Sequence, residues 1–237
     1  MAEKQRLLLL PGLLCDADVW EPVIAALDGA VACRVPDYRN ATSIGAMAER
    51  VLRGAPARFA LAGHSMGGRV ALEIARRAPE RVARLALLDT GYQARAIGAG
   101  GEEEARQRQR LVDLARRQGL RAMGEEWLLG MVHPDRITDR ALMDRLLAMI
   151  ERQKFEDYQG QIRALLERPD ATPVLGRIGC PTLIACGRQD VWSPPARHEQ
   201  MAALIPGCRI EVFEECGHMS TLERPDAVAA SLRRWLE

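Results

Sequence analysis

A chain of 237 residues with 33 Lys and Arg against 32 Asp and Glu has a formal net charge of +1, so no global field draws it to nucleic acid or an anionic membrane. With 48% hydrophobic and 27% charged residues, it is neither disordered nor fibrous, and its length suits one large α/β domain. The six cysteines, Cys15, Cys33, Cys180, Cys186, Cys208 and Cys216, form no C-x-x-C pair and have no histidine at metal-ligand spacing. Reduced cytoplasmic thiols are expected, with no metal or other cofactor.

The start imitates a lipoprotein leader, from Met1 through the apolar Leu7-Leu14 stretch to Cys15. The apolar stretch is short, Pro11-Gly12 interrupts it, and bulky Leu14 precedes the cysteine, so no leader is expected. No other stretch approaches the ~18 apolar residues of a membrane span, and a soluble, cytoplasmic protein is the expectation.

In chain order, short apolar runs alternate with helical patterns, as in parallel strands joined by crossover helices. Leu7-Leu10 reads as a buried strand ended by Pro11-Gly12, Trp20-Leu27 as a helix, and Val31-Val35 as a second strand. Thr42 or Ser43 caps a helix running to Arg53; Phe59-Ala62 is the third strand, Met66-Ala78 a helix stopped by Pro79, and Val82-Leu88 the fourth strand. Residues 93–178 contain no convincing strand and read as helices starting near Glu102, Gly124, Thr138 and Phe155. They are expected to form an inserted helical cap on a core made of 1–92 and 179–237. Within the cap, Arg106, Arg108, Arg110, Arg116, Arg117 and Arg121 cluster, and a solvated helix face is expected of them. Thr182-Cys186, a helix from Pro195 to Ile205, Arg209-Phe213 and a last helix from Ser220 to Leu236 restore the rhythm. The prediction is a six-stranded, mainly parallel sheet flanked by helices.

Gly63-His64-Ser65-Met66-Gly67-Gly68 falls between the third strand and its helix. A sharp turn there holds a serine strained and exposed, as a nucleophile elbow does. The bare G-x-S-x-G pattern is a weak signal, and its placement gives it weight. Such a serine needs a base, and the base an orienting carboxylate. His218 follows the Arg209-Phe213 strand through a short loop and is the best base of the four histidines; His64, His133 and His198 are expected in core or surface roles. Asp190 follows the Thr182-Cys186 strand through Gly187-Arg188-Gln189, and Asp89, at the end of Val82-Leu88, is its rival. An oxyanion needs two preorganised donors. The Met66 amide is one, and the Leu13 amide, preferred to that of Leu14, is the other.

On these residues the chain resembles the α/β-hydrolases of the carboxylesterase type. The likeness runs through the strand-loop Leu7-Trp20, the elbow Gly63-Gly68, Gly187-Asp190 and Cys216-Gly217-His218. The resemblance implies an α/β-hydrolase fold, with Ser65, Asp190 and His218 in the chain order that family uses. The family's usual His-Gly in the first loop is replaced by Pro11-Gly12. With six residues before Leu7, its first two strands are expected to be missing.

The leading expectation is hydrolysis of small or medium apolar esters through an acyl-enzyme, with no nucleic-acid or membrane partner. Cap side chains Trp127, Leu128, Met131, Met143, Met149 and Phe155 are candidates for an acyl pocket. Arg69 offers an alternative. It matches the arginine that follows the elbow in synthases of the menaquinone pathway resembling this fold, which act by proton abstraction on a carboxylated substrate. A receptor that keeps the triad is a third reading.

Overall fold

Leu7, Leu8, Leu9 and Leu10 are all buried, as an apolar run without alternation must be when helices cover both faces of a parallel sheet. The computed structural model describes residues 5–237; Met1-Lys4, the start of the leader-like stretch, lie outside the described residues. The sheet contains β1 (Arg6–Leu10), β2 (Ala32–Arg34), β3 (Phe59–His64), β4 (Val82–Leu88), β5 (Thr182–Gly187) and β6 (Arg209–Phe213). Its order is β2-β1-β3-β4-β5-β6, and every pairing is parallel. β3 and β5 are buried along their whole length.

Helices α1 (Glu21–Ala26), α2 (Ile44–Gly54) and α3 (Met66–Arg77) connect the first four strands. Ser43 caps α2, its hydroxyl accepting from the Ala46 amide at 3.1 Å. Between β4 and β5 the chain forms α4 (Ala99–Trp127), α5 (Arg140–Glu151), α6 (Phe155–Leu166) and α7 (Thr172–Leu175), with no strand. Here the sequence reading needs correction. Gly124 starts no helix; it lies inside α4, and the break comes at Gly119, whose φ of 88° and ψ of 166° are non-helical. The first half of α4 then folds back on the second, because Arg110 pairs with Glu126, residues that would stand ~24 Å apart on a straight helix.

After β5 come α8 (Pro195–Ala202), α9 (Ser220–Glu223) and α10 (Pro225–Leu236). The single last helix expected from Ser220 is split at Arg224, whose φ of −135° precedes Pro225. Among the described residues no helix is long and apolar enough to cross a membrane.

Candidate active site

Ser65 is the single residue between β3 and α3, with φ 54° and ψ −118°, a conformation that strains any side chain bearing a Cβ. Its neighbours make the turn possible. A Cβ on Gly63 would strike the Gly67 carbonyl, and one on Gly67 would strike the Leu10 carbonyl, so only glycine fits at either place. The Ser65 amide donates to Leu88 O at 2.9 Å, and its carbonyl accepts from Gly68 N at 3.0 Å and from the Thr90 hydroxyl at 2.7 Å.

His218 reaches this serine from the loop after β6, with Nε2 2.7 Å from Ser65 Oγ. Its other nitrogen, Nδ1, lies 2.8 Å from Asp190 Oδ2. The Asp190 Oδ1 accepts from the amides of Trp192 at 2.9 Å and Ser193 at 2.8 Å. Burial disfavours charge on both side chains, but their mutual attraction and hydrogen bond outweigh it. His218 is therefore held above the ordinary histidine value and Asp190 below the ordinary carboxylate value.

Asp89, the rival acid, is wholly buried and makes no hydrogen bond to the His218 ring. It accepts from Gly187 N at 3.0 Å, meets the Ser220 hydroxyl and lies 3.7 Å from His64 Nε2. Burial, reinforced by the Asp190 charge, raises its carboxyl well above the usual range. His64 packs beside the pair, and its Nε2 donates to the His218 carbonyl at 2.8 Å. Burial, with repulsion from His218, lowers it to about 4. His198 accepts from the Thr90 amide at 3.0 Å.

A cavity of ≈ 220 Å³ opens over the serine, lined by Leu13, Ser65, Met66, Trp127, Met131 and His218 among others. Leu14 N donates to Gln161 Oε1 at 2.9 Å, while the Leu13 amide has no partner among the described residues. Met66 opens a helix, where the first amides lack intrahelical acceptors. Leu13 and Met66 both line the cavity beside Ser65. A larger cleft of ≈ 700 Å³, bounded by Val82 and Pro181, lies at the opposite ends of the strands, away from this chemistry.

Several expected residues end up elsewhere. Phe155 does not line the cavity; it opens α6 with the Arg116 guanidinium 5.7 Å over its ring. Leu128 and Met149 are buried in the core, and Met143 packs against it. Arg69 does line the cavity, and so does Arg108, which departs from the solvated face expected of its cluster. The sequence reading also missed Gln161, Arg168, Arg197 and Glu223. The Glu223 carboxylate accepts from the amides of Gly217 and Met219, each at 3.1 Å, and of His133 at 2.8 Å, so it clamps the loop on both sides of His218. A glutamate two residues before a proline carries no local signal of that role.

The parallel sheet, the elbow and the loops beyond the strand ends define a member of the Alpha/beta hydrolase family, to which the chain belongs; the family's profile matches residues 7–231. The chain is similar to the pimeloyl-[acyl-carrier protein] methyl ester esterase of Nitrosomonas europaea, at 25% identity over 93% of this chain and 91% of that one. It is also similar to the 2-hydroxy-6-oxononadienedioate/2-hydroxy-6-oxononatrienedioate hydrolase of Escherichia coli K12, at 28% identity over 72% of this chain and 59% of that protein. Among solved structures, a thermophilic esterase from Thermogutta terrifontis, with malate bound, superposes with a TM-score of 0.86 at 28% identity, covering 98% of this chain and 89% of that one.

Proposed function

We propose that this hydrolase cleaves small carboxylic esters through an acyl-enzyme on Ser65. The observation that carries the reading is the hydrogen-bonded relay from Asp190 through His218 to the strained Ser65. In acylation, His218 Nε2 takes the hydroxyl proton as Ser65 Oγ bonds to the ester carbonyl carbon. The carbonyl oxygen becomes an oxyanion, received by the Leu13 and Met66 amides. Collapse breaks the bond to the alcohol oxygen, which leaves with the proton from His218. Water, deprotonated by His218, then cleaves the acyl-serine, releasing the acid and returning the proton to Ser65.

Asp190 stays ionised throughout, holding the imidazole in the tautomer that presents Nε2 to the serine. No cofactor enters this chemistry. A cavity of ≈ 220 Å³ is below the ~300–1,000 Å³ of sites for drug-sized ligands, which favours a short chain, with Trp127 and Met131 as its apolar wall. The likeness to two esterases supports the same reaction type, and six unpaired cysteines agree with a reducing, cytoplasmic setting.

The test is hydrolysis of a p-nitrophenyl ester series together with labelling by a fluorophosphonate. Ser65→Ala is expected to lower kcat about 10³-fold or more and to abolish labelling. Labelling at another serine, or near wild-type turnover by the variant, defeats the assignment.

A further inference from the structure

Four arginines, Arg69, Arg108, Arg168 and Arg197, line the cavity over Ser65, and the carboxylates among its lining residues are those of Glu104 and Asp89. Burial, reinforced by the Asp190 charge, raises the Asp89 carboxyl well above the usual range, and it already meets the Gly187 amide and the Ser220 hydroxyl. Glu104 is committed to two of the arginines: it forms a bidentate pair with Arg168 at 2.7 and 2.8 Å and meets Arg108 Nε at 3.0 Å. Arg108 also lies over the Trp192 ring, 5.8 Å from its centre.

Arg69 and Arg197 form no ion pair among the described residues. Arg69 donates to Gln93 O at 2.8 Å and Arg197 to Trp192 O at 2.8 Å. The two guanidinium groups converge on Gly91, where a Cβ would stand 2.8 Å from one terminal nitrogen and 3.6 Å from the other. Burial, followed by repulsion from Arg168, Arg197 and Arg108, lowers Arg69 to about 9. Holding cations together in this way is unfavourable unless an anion joins them, and planar guanidinium forks suit a carboxylate.

We infer that the ester substrate carries a carboxylate, bound between Arg69 and Arg197 while the ester carbonyl sits at Ser65. The substrate class is the half-ester of a short dicarboxylic acid. Arg69 follows Ser65 by one helical turn, ~6 Å of rise, so a chain of a few carbons spans the two ends. The inference rests on the proposed hydrolysis for the ester end and on the arginines alone for the anionic end.

Hydrolysis of monomethyl glutarate and of neutral dimethyl glutarate, measured side by side, tests it. Wild type is expected to favour the half-ester at least tenfold in kcat/KM, and Arg69→Met with Arg197→Met is expected to erase that preference. Arg69→Lys, which keeps the charge, should retain part of it, and circular dichroism checks that each variant folds. Arg197→Met alone is read if the double variant does not fold. Preference for the diester, or a preference that the arginine changes leave intact, overturns the inference.

Calorimetric titration of glutarate into Ser65→Ala protein separates this from the hydrolytic reading. If neither ester is cleaved but glutarate binds at least tenfold tighter than dimethyl glutarate, and loses that advantage in the arginine variants, the esterase reading fails and the anion site stands. Equal binding of the two probes, or none, overturns the anion site.

Discussion

Two buried carboxylates stand at neighbouring strand ends, and one contact separates their roles: Asp190 touches His218, whereas Asp89 meets Ser220 and the Gly187 amide. Asp190→Asn is therefore expected to lower kcat by about 10²–10⁴-fold, because an amide no longer favours the productive imidazole tautomer. Asp89→Asn replaces a carboxyl that makes no hydrogen bond to the His218 ring with an amide of the same shape, and its kcat should fall less than about tenfold; the reverse order would move the acid's role to Asp89. The rate should also follow His218. On the proposed mechanism its neutral form is the base, and its folded value is raised, so kcat/KM should climb with pH through a limb centred above the ordinary ~6.5. A pH-rate profile with that limb below 6 would contradict the assignment. His198 gives the matching stability test. Burial lowers it to about 4, so between roughly pH 6.5 and 4 the unfolded chain takes up a proton that the folded one refuses, and this residue's contribution falls as pH falls. Urea titrations should show the gap between wild type and His198→Gln narrowing from pH 7.5 to pH 5.

At the level of elements, the break in α4 shapes the cavity. Arg108 stands before Gly119 and Trp127 after it, and both line the same ≈ 220 Å³ space, although a straight helix would separate them by ~28 Å. Gly119 adopts φ 88° and ψ 166°, and a Cβ there would meet nothing within 4 Å, so Gly119→Ala carries a purely backbone cost. Urea denaturation should register a loss of about 1–3 kcal/mol, and a neutral result would show that the break does not depend on glycine. The loop after β1 is similarly held from afar. Arg152, the residue that follows α5, pairs with Asp16 at 2.7 Å and with Asp18 at 2.8 Å, and Gln161 of α6 takes up the Leu14 amide. The resulting loop conformation leaves the Leu13 amide available. The helices between β4 and β5 thus help set the geometry on the sheet side.

Across the whole molecule, one continuous core joins Leu7, Leu61 and Leu85 of the sheet to Leu146 and Met123 of the helical segment. The contact reaches the loop that carries His218, since the His218 amide donates to Met131 O at 2.8 Å. Unfolding should accordingly be a single transition. Far-UV circular dichroism and tryptophan fluorescence should coincide in urea, because Trp20 reports the core and Trp127 the segment above it. Two separated transitions would mean that the segment at 93–178 folds independently.

What the sequence by itself determined was whatever is local. Buried parallel strands read as short apolar runs, the elbow needs glycine on both sides of Ser65, and the parts that follow strands in order, Asp190 and His218, must come to one sheet edge. Tertiary structure alone decided the long-range partners. Asp89 and Asp190 both reach the edge, and the choice between them lay in which carboxylate the His218 ring contacts. Gln161 meets a residue 147 positions away. The arginines at 69, 108, 168 and 197 come from separate stretches, and its place in a run of charged residues made Arg108 look solvated. Their convergence on one cavity depends on how α4 folds back and where α8 packs, and no spacing along the chain encodes that.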